Sequence, residues 1–217
     1  GEAHGDGMSG VHVMTPKYSG LQIINRKVII RFLHNLLRHD MESAPIKILG
    51  TEEKVSHTFT FNINGEETDI RMGGYIDRLD MSGGKIRVID YKTGSRQQKE
   101  LKSTDDIFDA SKIESHTDYY LQTLLYAVII AADKSINPMS LPVTPQLFFV
   151  QKMSSRDFSP SLVINGAEID DAQDIAKEYI EGLQRLLADI LNPELPFAPT
   201  SRTATCLTCP LSQICRT

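Results

Sequence analysis

Asp77 stands in the run GGYIDRLD, and Asp90 and Lys92 stand in VIDYKTG, with Gly83-Gly84 between the two runs. A two-residue Gly-Gly turn between alternating segments closes a hairpin and fixes which residues face each other. Asp77 and Asp90 are each six residues from that turn, so the spacing predicts them directly opposite across the ladder, with Cβ atoms about 5 Å apart. Lys92 follows Asp90 by two residues and projects to the same sheet face. Like charges opposite each other destabilise a sheet unless a cation lies between them. Two hard carboxylate donors suit Mg2+ or Mn2+, which also take water and phosphate oxygens. The adjacent ammonium could polarise an attacking water or neutralise charge on a phosphorane-like transition state. A solvated hairpin whose Asp and Lys pair on the surface would share this spacing. Against it, the segment IRVIDY is apolar, as a central strand would be, and charge buried there without a use is costly.

The flanking sequence must supply the elements that hold these groups. From Leu21 to about Met41, Ile24, Val28, Ile29, Phe32, Leu33, Leu36 and Leu37 recur every three to four residues, which predicts an amphipathic helix with a core face. After Pro45 the pattern alternates and is β-branched, with turn signals at Asn64-Gly65 and Gly83-Gly84, predicting a three-strand antiparallel meander. Residues 95–114 read as a polar surface loop with a short helix. Thr117 to Ala132 reads as a helix with Thr117 at its N-cap and Asp118 in its first turn. Strands are expected at 143–152 and 161–166, then a helix over AEIDDAQDIAKEYIEGLQRLLADIL that stops at Asn192-Pro193. The fold class is therefore mixed α/β (α+β), a small, largely antiparallel sheet flanked by helices. Residues 1–19 are expected to be a flexible lead-in, 20–197 the folded domain, and 198–217 a cysteine-containing tail.

With 217 residues, 41% of them hydrophobic, the chain can bury a real core and is neither disordered nor fibrous by composition. The longest apolar run, Leu124 to Ala132, is far short of the roughly 20 residues of a membrane span. A net charge of −5 argues against a broad basic surface for nucleic acid, though not against a local groove. No basic segment followed by an apolar one opens the chain, so no secretory signal is expected and the compartment reads as cytoplasmic. A polar, Gly-rich opening without Met is what a piece of a longer chain would show.

GGYIDRLD followed thirteen residues later by DYKTG resembles the RecB-like branch of the PD-(D/E)XK nuclease superfamily. More narrowly it is similar to the C-terminal nuclease domain of AddB-type helicase–nucleases, which process DNA double-strand breaks. The resemblance implies a restriction-endonuclease-like core in which Asp77, Asp90 and the main-chain carbonyl of Tyr91 hold Mg2+ or Mn2+ and Lys92 is catalytic. It also implies a glutamate on the first strand. GTEEKV offers Glu52 and Glu53, the motif form favouring Glu52. A helix signature Q-x-x-x-Y is matched by Gln122 and Tyr126, which share a helix face and could contact the lysine or the DNA backbone; core packing is the other reading of Tyr126. The implied activity is a metal-dependent deoxyribonuclease, an exonuclease acting on single-stranded DNA or ends, with a helicase domain or subunit as partner, in repair and recombination. A non-catalytic module that braces a helicase and binds DNA ends is the rival, as is a CRISPR-associated exonuclease of the same superfamily.

Two parts of the family pattern fit less well. His34 and His39 lie on the first expected helix but lack the Gly-x-x-x-His setting of the family's histidine, so they read as ordinary helix residues, with the family's histidine helix expected upstream of residue 1. Cys206, Cys209 and Cys215 form Cys-x2-Cys-x5-Cys, too clustered for a disulfide framework and spaced like metal ligands. They resemble the C-terminal part of the iron–sulfur staple of AddB-type nucleases. A 4Fe-4S cluster would need a fourth cysteine from outside these residues; zinc with a borrowed ligand and a metal-free tail are the alternatives.

Overall fold

The computed structural model describes residues 18–94, 99–196, 198, 206–207 and 209–215. Residues 1–17 of the expected lead-in, and much of the expected tail, lie outside them. Two long strands, β1 (Ile46–Ile63) and β2 (Glu66–Ser82), form an antiparallel ribbon through Asn64-Gly65, and β3 (Lys85–Lys92) follows through Gly83-Gly84. All four turn residues have positive φ: 55° and 93° in the first turn, 59° and 79° in the second. That is the left-handed geometry Asn and Gly adopt at least cost, and its twist matches the strands it joins. The second turn sets the expected register, with Ser82 opposite Lys85 and Arg78 opposite Ile89.

The helix α2 (Thr117–Ala132) carries the chain across the sheet to β4 (Val143–Phe149), which runs parallel to β3. The strand order β1-β2-β3-β4 puts β3 in the interior and Pro145, which has no N–H to donate, in the last strand. Interior placement explains why five successive residues of β3, Ile86 to Asp90, are buried. The expected second strand at 161–166 shrinks to a small hairpin of β5 (Val163–Ile164) and β6 (Ala167–Glu168). Because Ala167 and Glu168 are spent there, the last long helix, α3 (Gln173–Ile190), starts later than its periodicity suggests. A final turn, α4 (Ser212–Cys215), lies in the tail.

The main core lies between α2, α3 and one face of the sheet, with Phe61, Leu79, Val88, Tyr120, Leu124, Leu147 and Tyr179 almost fully enclosed. Besides a register shift between Ile48 and Gly50 of β1, strand alternation slips within this core. Ile70, Met72 and Ile76 of β2 pack into this core, and so does Leu79, three residues on. Opposite the slip, Glu52 of β1 adopts φ 51° between the pairs Thr51–Arg78 and Glu53–Ile76. This irregularity returns Asp77 and Leu79 to the α2 face and sends Arg78 and Asp80 to the other.

Three further expectations are corrected. Residues 104–115 form two short 3-10 helices, and Leu101, Thr104, Asp106 and Ile107 are buried, so this segment is no mere surface loop. The N-cap of α2 is His116 in left-handed backbone; Thr117 is buried inside the first turn. Finally, α1 (Gly20–Glu42), opened by a Ser19/Gln22 capping box, buries only Asn35 and leaves Leu21, Ile24, Ile29, Leu33 and Leu37 more than half exposed. The apolar stripe exists as predicted but has no cover among the described residues; α1 meets the body at its C-terminal end, where the His39 ring lies 4.9 Å from Phe148 and 5.8 Å from Phe158.

Candidate active site

The site forms where β2 and β3 part. Arg78–Ile89 is the last residue pair of their ladder, and beyond it the half-buried Asp77 accepts a hydrogen bond from the Tyr91 N–H through Oδ2 at 2.7 Å. A side chain thus takes the place of a main-chain partner, and the fork holds two carboxylates. Asp90 is 6% exposed. Its Oδ2 lies 2.7 Å from Lys92 Nζ as an ion pair, yet no donor meets that buried oxygen at hydrogen-bonding angles. Burial pushes the Asp90 carboxyl above its ordinary range; Lys92 pulls it back down and the charge of Asp77 adds to the rise.

Lys92 is held from three directions. Besides Asp90, its ammonium donates to Gln122 Oε1 at 3.2 Å and stands 4.5 Å from the centroid of the Tyr119 ring, a cation–π contact. The Gln122 amide in turn donates to the Tyr126 hydroxyl at 3.4 Å. Gln122 and Tyr126, one turn apart on α2, therefore join Asp90 and Lys92 in a single chain of contacts. His116 stacks on Tyr119 with centroids 4.7 Å apart and planes 13° from parallel.

The remaining candidates fall elsewhere. Glu52 and Glu53 are both exposed, and the Glu53 carboxylate folds back over Gly50, with Oε2 3.1 Å from where a Cβ would stand. His34 is exposed, and His39 packs behind the sheet against Phe148, with burial lowering its pKa. Cys206 and Cys209 are half-buried and Cys215 is exposed, all three as free thiols. Among the described residues no three His, Cys, Asp or Glu side chains gather as a metal cage. Two convergent carboxylates still fit Mg2+ or Mn2+, because these ions keep several waters and need one or two protein carboxylates. The buried Asp90 oxygen facing only an ammonium, with Asp77 beside it, is what such a donor set would present.

Sequence reasoning missed Tyr119 and Gly74. Tyr119 lies three residues before Gln122, hence on its helix face, a signal that was available in the helical spacing. Gly74 sits against the Tyr126 hydroxyl, where a Cβ would stand 2.2 Å from the oxygen. Gly73 passes equally close to the Val55 carbonyl, at 2.1 Å for the same added atom. Paired glycines inside a strand commonly mark such approaches. Gly74→Ala is expected to displace Tyr126 and lower stability by about 1–3 kcal/mol. Adding Tyr126→Phe, which removes the nearest atom but leaves ring carbons 3.0 and 3.1 Å from the new Cβ, should restore part of the melting temperature.

A family model, that of the PD-(D/E)XK nuclease superfamily, matches residues 9–216. No curated protein matches the chain.

Proposed function

Because the chain belongs to the PD-(D/E)XK nuclease superfamily, we propose that it is a metal-dependent deoxyribonuclease whose active site is the β2–β3 fork. The carrying observation is the contact chain Asp90–Lys92–Gln122–Tyr126, with Asp77 beside Asp90. Asp77 and Asp90, with the main-chain carbonyl of Tyr91, would hold Mg2+ or Mn2+, without the first-strand glutamate, since Glu52 is exposed and does not join them. Such an ion, when bound, makes a water nucleophilic at neutral pH and offsets charge on the phosphate. Asp90 and Gln122 fix the Lys92 ammonium, which orients the attacking water and steadies charge developing on the phosphoryl oxygens. The water oxygen bonds to phosphorus as the ester P–O bond breaks, and the leaving oxygen takes up a proton.

At a finer level, the same motifs support an exonuclease of the RecB-like branch, coupled to a helicase that feeds it single-stranded DNA. The open apolar stripe of α1 is consistent with such a partner, and the net charge of −5 suits a domain to which DNA is delivered. Cys206, Cys209 and Cys215 would then contribute to a 4Fe-4S staple completed from outside these residues. Labelled linear single- and double-stranded DNA, incubated with Mg2+ or Mn2+, tests the core of this reading. Cleavage is expected to need metal and to fall about 100-fold or more in Asp90→Ala. DNA binding without cleavage, in this chain and in the helicase assembly, would replace the enzyme with a bracing module.

A further inference from the structure

On the face of the sheet away from Lys92 lies a buried charged cluster that the proposed chemistry does not use. The carboxylate of Asp80, fully enclosed, lies between two arginines: Arg87 donates through Nε at 2.6 Å and NH2 at 2.9 Å, and Arg78 donates through Nε at 2.7 Å. Arg78 NH2 also lies 2.6 Å from the Asp80 carboxylate, and the third nitrogen, NH1, donates to Asp40 of α1 at 2.7 Å and to the Tyr91 hydroxyl at 3.3 Å. Two positive and two negative charges therefore balance in a site only slightly open at Asp40.

We propose that Asp40, Arg78 and Tyr91 form a positioning clamp that sets the spacing of the two carboxylates at the fork, an inference that rests on the metal-site reading above. The geometry is the reason. Arg78 directly follows Asp77, and Tyr91 lies between Asp90 and Lys92. On one side of the sheet the Tyr91 N–H is given to Asp77; on the other its hydroxyl is gripped by Arg78. The two strands are thus tied crosswise at the one point where their ladder has ended. Asp40 anchors the tie to the C-terminal end of α1. Stability alone is a poor explanation of such a cluster, since well-packed apolar side chains of similar volume hold a fold at least as well. What directed hydrogen bonds add is a fixed geometry, and groups behind metal ligands commonly tune affinity in this way.

Asp40→Asn and Tyr91→Phe test the clamp gently, one removing the charge at the slightly open end of the cluster and the other a single hydroxyl. Mn2+ affinity is measured by calorimetry on the whole chain, beside melting of the metal-free protein and kcat and KM on single-stranded DNA. Both variants are expected to melt cooperatively, to bind Mn2+ about 10-fold more weakly, and to lose kcat with KM for DNA unchanged. Asp40→Glu, which keeps the charge, should recover part of the Mn2+ affinity. Unaltered Mn2+ affinity in both variants, with or without a lower melting temperature, would overturn the clamp and leave the metal site standing. A parent chain that binds no Mn2+ would remove both.

Discussion

Replacing Lys92 with methionine is expected to lower metal-dependent cleavage by about 10²–10⁴-fold, the range found when a group that handles a proton or a developing charge is removed. Methionine keeps the apolar stem against Tyr119 and removes only the ammonium, but it leaves the buried Asp90 carboxylate without its ion-pair partner, so some loss of melting temperature is expected and cleavage is compared well below the transition. The informative measurement pairs cleavage with Mn2+ binding across pH. Lys92 opposes the upward push of burial on the Asp90 carboxyl, and a carboxylate must be ionised to hold a cation. Without the ammonium, Asp90 stays protonated to a higher pH, and the pH at which Mn2+ binding is half lost should rise. Lost cleavage with Mn2+ still bound at high pH would assign Lys92 to the chemistry. Retained cleavage would show that the β2–β3 fork is not the active site.

Much of this fork was legible because its control is local. Gly83-Gly84 admits few turn geometries, and the turn dictated which residues of β2 and β3 stand opposite each other. The side-chain period of two then placed Lys92 with Asp90, and the period of α2 placed Gln122 with Tyr126. The slip in alternation near Glu52 carried no such mark, because glutamate is not a residue that favours positive φ. The alternating pattern of β1 therefore could not choose between Glu52 and Glu53, and both prove to be exposed. The openness of α1 was hidden for a different reason: periodicity reports that a helix has an apolar face and is silent on what covers it. The apolar run IRVIDY already suggested an interior strand, but nothing in the sequence joined Arg78, Asp80 and Arg87 to Asp40, because only the tertiary fold brings the end of α1 to Arg78.

That buried cluster carries the largest stability effect expected in the molecule. Asp80→Asn keeps the shape of the side chain and removes the charge that faces both Arg78 and Arg87. Of two guanidiniums that are each only 6% exposed, Arg78 would then keep the carboxylate of Asp40 alone and Arg87 would lose the carboxylate it pairs with. Burial already works against the charge on Arg78, and Asp40, Tyr91 and Asp80 together outweigh it to raise its pKa. Removing one partner of a buried pair costs about 3–5 kcal/mol, and for a chain of this size each kcal/mol lowers the melting midpoint by roughly 2–4 °C. Thermal unfolding of the metal-free protein measures the loss directly. A triple variant, Arg78→Met, Asp80→Leu and Arg87→Met, separates stability from function. Apolar replacement of the whole cluster should regain most of the lost stability, because desolvating the charges offsets much of their attraction. If the cluster also sets the fork, this variant will melt like the parent and still cleave poorly. Full activity in it would mean that the charges hold the sheet to α1 and nothing more.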